Sequence, residues 1–295
     1  SQRVGVILHL TALLFGAYGV IQNSTDSIVI SAFLGLTALA KYNNYYYIMN
    51  SVFGFICIAF SSCMAGVGNS LVIESREKNY NDLKKITFLT EWIAGFSTCC
   101  LLCLYQPFMK IWVGEENLLS FGIVICFSIY LLVVVTNQMI CLYKDAAGIW
   151  HADRWRPLIT AMVNLCLNLL TVNFLGLYGV ILSTVVSMVV VGMPWLIHNL
   201  FTTVFHRSSR EFVKHLLFYV FVSACACIIT YLVCGSIEDS GILTFIIKIL
   251  ICCVLPNAIF LLVYYRTPEF KAALILVNNV SKNKLAKIPG IKHFL

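Results

Sequence analysis

Apolar residues run along this chain in blocks of about 20, a length that crosses a hydrocarbon core as one α-helix. Short polar or charged stretches separate the blocks. Read this way, the pattern predicts helices over residues 4–33, 42–72, 85–112, 118–143, 157–175, 178–200, 212–234 and 242–265. The blocks lack the period-two alternation of a membrane barrel, so the expected fold is all-α, an integral membrane protein of about eight transmembrane helices. The first helix is the hardest to bound. A polar block at residues 22–27 interrupts it, and residues 4–21 could span alone. Residues 28–40 are too short to span separately, so helix one is expected to continue through them.

Composition supports the membrane reading. Hydrophobic residues make up 60% of the chain and charged residues 11%, against roughly 25% charged in a soluble domain. A water-facing surface cannot be built from so few charges. The charges that remain are sorted by side. With the N-terminus inside, inner segments hold Arg3, then Arg76, Lys78, Lys84 and Lys85, then Lys144, Arg154 and Arg156, then Arg207, Arg210 and Lys214. A tail with Arg266, Lys271, Lys282, Lys284, Lys287 and Lys292 follows. The outer loops hold only Lys41 and Lys110. This bias orients the chain with both ends cytoplasmic. It also assigns the net charge of +7 to cytoplasmic loops and lipid headgroups, with no nucleic-acid partner. The outer loops carry Glu115, Glu116, Glu238 and Asp239 without obvious compensation. The tail alternates lysines with aliphatics, as a segment drawn to anionic membrane lipid does. The chain opens on Ser1 with no signal-peptide pattern, and a truncated N-terminus is expected.

Polar groups inside a span are costly, so they point to function. Asp26 in helix one, Glu91 in helix three and Lys248 in helix eight are the ionisable ones. Gln22 and Asp26 are four residues apart, as are Asn23 and Ser27, and each pair shares a helix side. This stripe reads either as a cavity wall, with Asp26 taking a proton or cation, or as a polar helix end at the outer interface. On helix five Thr160, Asn164, Asn168 and Thr171 lie on one face, for helix packing or for a cavity. Thr136, Asn137 and Gln138 point around helix four. Glu91 is expected to snorkel to the inner interface or to pair with Lys84 or Lys85, and Lys248 to snorkel to the outer surface. Tyr42, Tyr45, Tyr46 and Tyr47 suggest an aromatic belt, with one or two available to stack on sugar. Pro194 with Gly192 suggests a bend in helix six. The 13 cysteines sit mostly in apolar runs and act as small hydrophobes. Cys99, Cys100 and Cys103 have no histidine or second cysteine pair beside them in sequence, so no metal site is assigned. No phosphate loop, metal-binding histidine spacing or nucleophile elbow appears, and no catalytic residue or bound cofactor is expected. Asp145, His151 and Asp153, clustered in one loop, keep a membrane enzyme open as an alternative.

Several runs resemble one family. Asn23-Ser24-Thr25-Asp26-Ser27-Ile28-Val29-Ile30-Ser31, then Gly35 and Lys41-Tyr42, resemble the seventh helix of bacterial polysaccharide flippases. These transporters share a superfamily with the multidrug and toxin extrusion proteins. Gly68-Asn69-Ser70 is similar to the end of their eighth helix. Asp145-Ala146-Ala147-Gly148-Ile149 and Asp153-Arg154-Trp155-Arg156-Pro157 resemble their tenth-to-eleventh loop. Asn164-Leu165-Cys166-Leu167-Asn168-Leu169, then Gly176-Leu177-Tyr178-Gly179-Val180 and Thr184, resemble their eleventh and twelfth helices.

The resemblance covers roughly residues 4–200. It implies two six-helix lobes plus two extra helices. Residues 1–204 would then be the second lobe, 205–265 the two additional transmembrane helices and 266–295 a basic cytoplasmic tail. The missing N-terminal lobe of the same chain would be its partner. The implied activity is alternating access in a bacterial cytoplasmic membrane. It would flip an undecaprenyl-pyrophosphate-linked oligosaccharide for cell-surface polysaccharide synthesis, with proton or sodium coupling. Gln22, Asn23, Asp26, Asn137, Asn164 and Asn168 are the expected substrate or ion pathway. One departure is the lack of mid-membrane cations other than Lys248, which a pyrophosphate would want. A multidrug exporter, a peptidoglycan-precursor flippase and, from a different class, a membrane glycosyltransferase or polymerase are the competing readings.

Overall fold

The computed structural model describes residues 25–237 and 241–280. Among them every regular element is a helix. Residues 25–33 form the described part of α1. There follow α2 (Leu36–Ile73), α3 (Arg76–Val113), α4 (Phe121–Ala146), the short α5 (Trp150–Asp153) and α6 (Arg156–Leu175). Then come α7 (Leu177–Phe205), α8 (Arg210–Gly235), α9 (Ile242–Tyr264) and α10 (Pro268–Val280). Seven of these segments are long and apolar enough to cross a membrane, with α5 and α6 running together as one. The protein is a multi-pass, all-α membrane protein. Most of the first predicted span lies outside the described residues.

The predicted helices appear in order, with longer ends. The largest shift is at α3, which begins at Arg76 rather than residue 85; α2 begins at Leu36 rather than residue 42. The chain turns at Leu34 and Gly35, where φ is 87°, a value glycine adopts without penalty. Helix one therefore stops before residue 35, and Lys41 lies within α2.

The described residues pack as two compact units. The first holds the chain up to residue 72 and residues 109–209; the second holds residues 73–108 and the chain from 210 onward. Most of α3 thus groups with α8, α9 and α10, whereas the resemblance implied a division near residue 204.

In the first unit α6 is polar inside and apolar outside. Arg156, Thr160, Asn164, Asn168 and Val172, each four residues after the last, are buried. Leu158, Met162, Leu165, Leu169, Leu170 and Phe174 are exposed. That arrangement suits hydrocarbon solvent, where polar groups must find partners within the protein. Gly176, at φ 56°, turns the chain into α7. Three residues on, a Cβ at Gly179 would stand 2.9 Å from the Thr171 carbonyl group, so only glycine lets the two helices meet there. The bend expected at Gly192 and Pro194 is a π-helical turn over Met188–Gly192. Such a turn absorbs the backbone bond that proline removes.

Of the four tyrosines at the start of α2, two are core residues. Tyr42 and Tyr45 are buried against Phe127, with ring centroids 5.6 and 6.2 Å away. The Leu119 N–H donates to Tyr45 Oη at 3.1 Å. Tyr47 is exposed and Tyr46 half-buried, so the belt reading survives only for these two. Of the outer acids, Glu115 is compensated, and Glu238 and Asp239 lie outside the described residues. Glu115 pairs with Lys110 at 2.5 Å, whose hydrogen bond and charge hold its carboxyl below the usual range. Lys41 Nζ donates to the Glu116 carbonyl at 2.5 Å.

The second unit is built on aromatic packing. Phe88 and Trp92 of α3 meet Tyr219 of α8, Phe260 and Tyr264 of α9, and Phe270 of α10. The Trp92 indole donates to Asn257 Oδ1 at 2.8 Å. Phe270 and the buried Ala273 seat α10 in this core, so the first part of the expected lipid-drawn tail is a docked helix.

Candidate functional site

The first unit brings one acidic side chain into a buried polar cluster. Asp26, on α1, is only 3% exposed. Asn168 Nδ2 of α6 donates to its Oδ1 at 2.7 Å, and Thr184 Oγ1 of α7 donates to its Oδ2 at 2.9 Å. Asn164, one turn before Asn168, also reaches the carboxylate through its side chain. Its Oδ1 stands 3.5 Å from Thr184 Oγ1. Asn164, Asn168 and Thr184 are all buried. Three helices therefore converge on one carboxylate.

Local sequence explains the convergence. Four-residue spacing puts Asn164 and Asn168 on the buried face of α6. The close approach of α7 at Gly179 holds α7 near α6, and Thr184 lies five residues further on. Thr160 and Thr171, the other members of the stripe, bond carbonyls of their own helix, and the Thr171 hydroxyl also meets Ser183 Oγ of α7 at 3.2 Å. They donate to the Arg156 and Leu167 carbonyls at 2.8 Å each, the usual way a threonine is satisfied in an apolar helix.

The cluster is rich in oxygen. Asp26 contributes two oxygens, Asn164 and Asn168 one amide oxygen each, and Thr184 a hydroxyl. Among the described residues Asn168 Oδ1 has no hydrogen-bond partner, although it is buried. A buried acceptor without a donor is costly, and an oxygen-seeking cation, a proton relay or a water would satisfy it. Carboxylate, amide and hydroxyl oxygens form a suitable set for a hard cation.

The other expected pathway residues are placed as follows. Gln22 and Asn23 lie outside the described residues. Asn137 does not join the Asp26 cluster; it is half-buried, and its Nδ2 contacts Cys141 Sγ at 3.7 Å. Its neighbour Gln138 lines a cavity of about 310 Å³ with Gly54, Cys57, Phe60, Ser61 and Met64 of α2. Thr184, named above only for the resemblance, was not expected in the pathway, because a lone threonine in an apolar helix carries no periodic signal.

The loop acids form a different device. Asp153 is fully buried, and Arg156 grips it with two bonds, Nε to Oδ1 at 2.6 Å and Nη2 to Oδ2 at 2.8 Å. Lys144, also buried, pairs with Asp145 at 2.5 Å and Asp153 at 3.8 Å and lies over the Trp150 ring. His151 faces away and meets Arg154. Both Asp153 oxygens are engaged by the guanidinium fork, a geometry that fixes the α4–α6 connection.

Two expectations for the remaining ionisable groups are corrected. Lys84 pairs with Glu211 at 3.6 Å and Lys85 with Asp82 at 2.9 Å. Glu91 is buried instead near Tyr219 and Tyr264. Lys248 does not snorkel outward, since it is 6% exposed; its four-carbon stem is enclosed by neighbouring side chains. Compared with known proteins, this chain matches no protein-family model, no curated protein and no solved structure.

Proposed function

We propose that this chain is part of a membrane transporter that flips a lipid-linked oligosaccharide by alternating access, and that cation binding at Asp26 drives the cycle. The observation that carries the reading is the convergence of α1, α6 and α7 on one buried carboxylate, beside an amide oxygen that has no partner among the described residues. Buried acids in spans serve ion relays more often than packing. A neutral side chain would join three helices at lower cost.

In this reading Asp26 holds a proton or sodium ion, and Asn164, Asn168 and Thr184 position its carboxylate. Loss of the cation leaves a bare charge in a dry site, which three helices must relieve by rearranging. That rearrangement is the coupling. The transported head carries hydroxyls that hydrocarbon cannot solvate, so it needs a wet path while its lipid tail stays in the bilayer. The undecaprenyl-pyrophosphate substrate, the bacterial plasma membrane and the inward termini come from the resemblance and the charge sorting. The engaged state of Asp153 favours a transporter over an enzyme acting through that loop.

A multidrug exporter would share the cation site, and the buried acid alone does not separate the two. Transport of a fluorescent lipid-linked oligosaccharide, beside a lipophilic cationic dye, in vesicles carrying the complete reading frame tests the choice. Flipping of the lipid without dye export supports the proposal; dye export alone overturns it.

A further inference from the structure

The densest gathering of reactive side chains outside the Asp26 site lies in the second unit. Cys103 of α3, Cys234 at the end of α8 and Cys252 of α9 are buried, and their sulfurs all lie within 4.8 Å of one another. Cys234 Sγ and Cys252 Sγ are 3.9 Å apart. Cys100 lies one turn before Cys103 on α3, outside this group of three. In sequence, Cys100 and Cys103 had no second pair beside them; folding supplies it from 130 and more residues away. Cysteines that merely fill space have no cause to aim three sulfurs from three helices at one point.

The separation matches metal ligation. With a metal–sulfur bond of about 2.3 Å, sulfurs around one ion stand about 3.8 to 4.0 Å apart, in tetrahedral or trigonal geometry. Charge agrees as well. Lys248, one turn before Cys252 and buried, acts electrostatically on both Cys234 and Cys252. Three thiolates around a divalent ion carry one net negative charge, and the Lys248 ammonium balances it. Around a monovalent ion one negative charge would remain.

We infer that Cys103, Cys234 and Cys252 bind a thiophilic d10 cation, Zn(II) in preference to Cu(I), and so tie α3, α8 and α9 together. On binding, each ligating thiol releases its proton to solvent as the metal–sulfur bond forms, with no change of oxidation state.

The test uses the full chain, purified in detergent under reducing conditions and exposed to one equivalent of Zn(II) or, separately, Cu(I). After dialysis, elemental analysis should find about one zinc per chain, and the thermal midpoint should rise by several degrees. Cys252→Ser should lose both effects. Cys166→Ser, which removes an exposed thiol of α6, should keep them. Loading the unaltered chain with Co(II) needs no variant: a sulfur-to-cobalt charge-transfer band supports the site, and its absence overturns it. Zinc not retained, zinc retained equally by Cys252→Ser, or a disulfide joining Cys103, Cys234 or Cys252 in chain isolated without reductant would each overturn it. Retention of Cu(I) but not Zn(II) would overturn the assigned preference.

Discussion

In the proposed reading Asp26 and its partners act, and the other polar residues of the spans pack. Asp26→Asn keeps the size of the side chain and removes its charge. We predict a fall in transport of about tenfold or more, the scale of a typical coupling free energy, at unchanged expression. Asn168→Ala leaves Asp26 Oδ1 without its donor at 2.7 Å. It should lower transport as well as stability, by about 1–3 kcal/mol. Thr160→Ala removes a hydroxyl that bonds only its own helix and should leave transport near normal. Thermal stability and flipping rate, measured together, separate these cases. Asn164 and Asn168 were legible in the sequence because four-residue spacing fixes them on one face whatever surrounds the helix. Asn137 was not, because Thr136, Asn137 and Gln138 point in successive directions, and only the packing of α2 against α4 decides which one meets a cavity. Lys248 was misread for the same reason: snorkelling assumes a lipid-facing side, and this side is covered by protein.

At the scale of elements, the α6–α7 pair is held by the absence of side chains as much as by their presence. Gly179→Ala would drive a Cβ into the Thr171 backbone, which cannot swing away. We predict a loss of about 1–3 kcal/mol, as for other overpacked sites, together with impaired transport, because Thr184 rides on α7. Gly122→Ala meets the Tyr178 ring instead, a side chain able to turn aside, and should cost less. The α4–α6 connection depends on the Arg156 fork. Arg156→Ala strands a buried Asp153 and is expected to cost about 3–5 kcal/mol, read as a large drop in the thermal midpoint. Helix existence and order could be read from apolar block lengths, since hydrocarbon thickness sets them. The break at Gly35, the π-helical turn before Pro194 and the docking of α10 could not, because each depends on contacts made by other parts of the chain.

Across the whole molecule, the proposed orientation rests on charge sorting. The two outer lysines are both engaged, Lys110 with Glu115 and Lys41 with the Glu116 carbonyl, so neither weakens the bias. A reporter active only outside should work when fused after Glu116 and fail when fused after Ser209; the reverse pattern would invert the proposed topology. The central claim is that a cation bound at Asp26 drives transport, and the most direct test is flipping of a lipid-linked oligosaccharide in vesicles carrying the complete reading frame, with and without an imposed sodium or proton gradient. The account predicts faster flipping with one of the two gradients and no response to either in Asp26→Asn. Flipping that ignores both gradients, or a gradient response that survives Asp26→Asn, would contradict it.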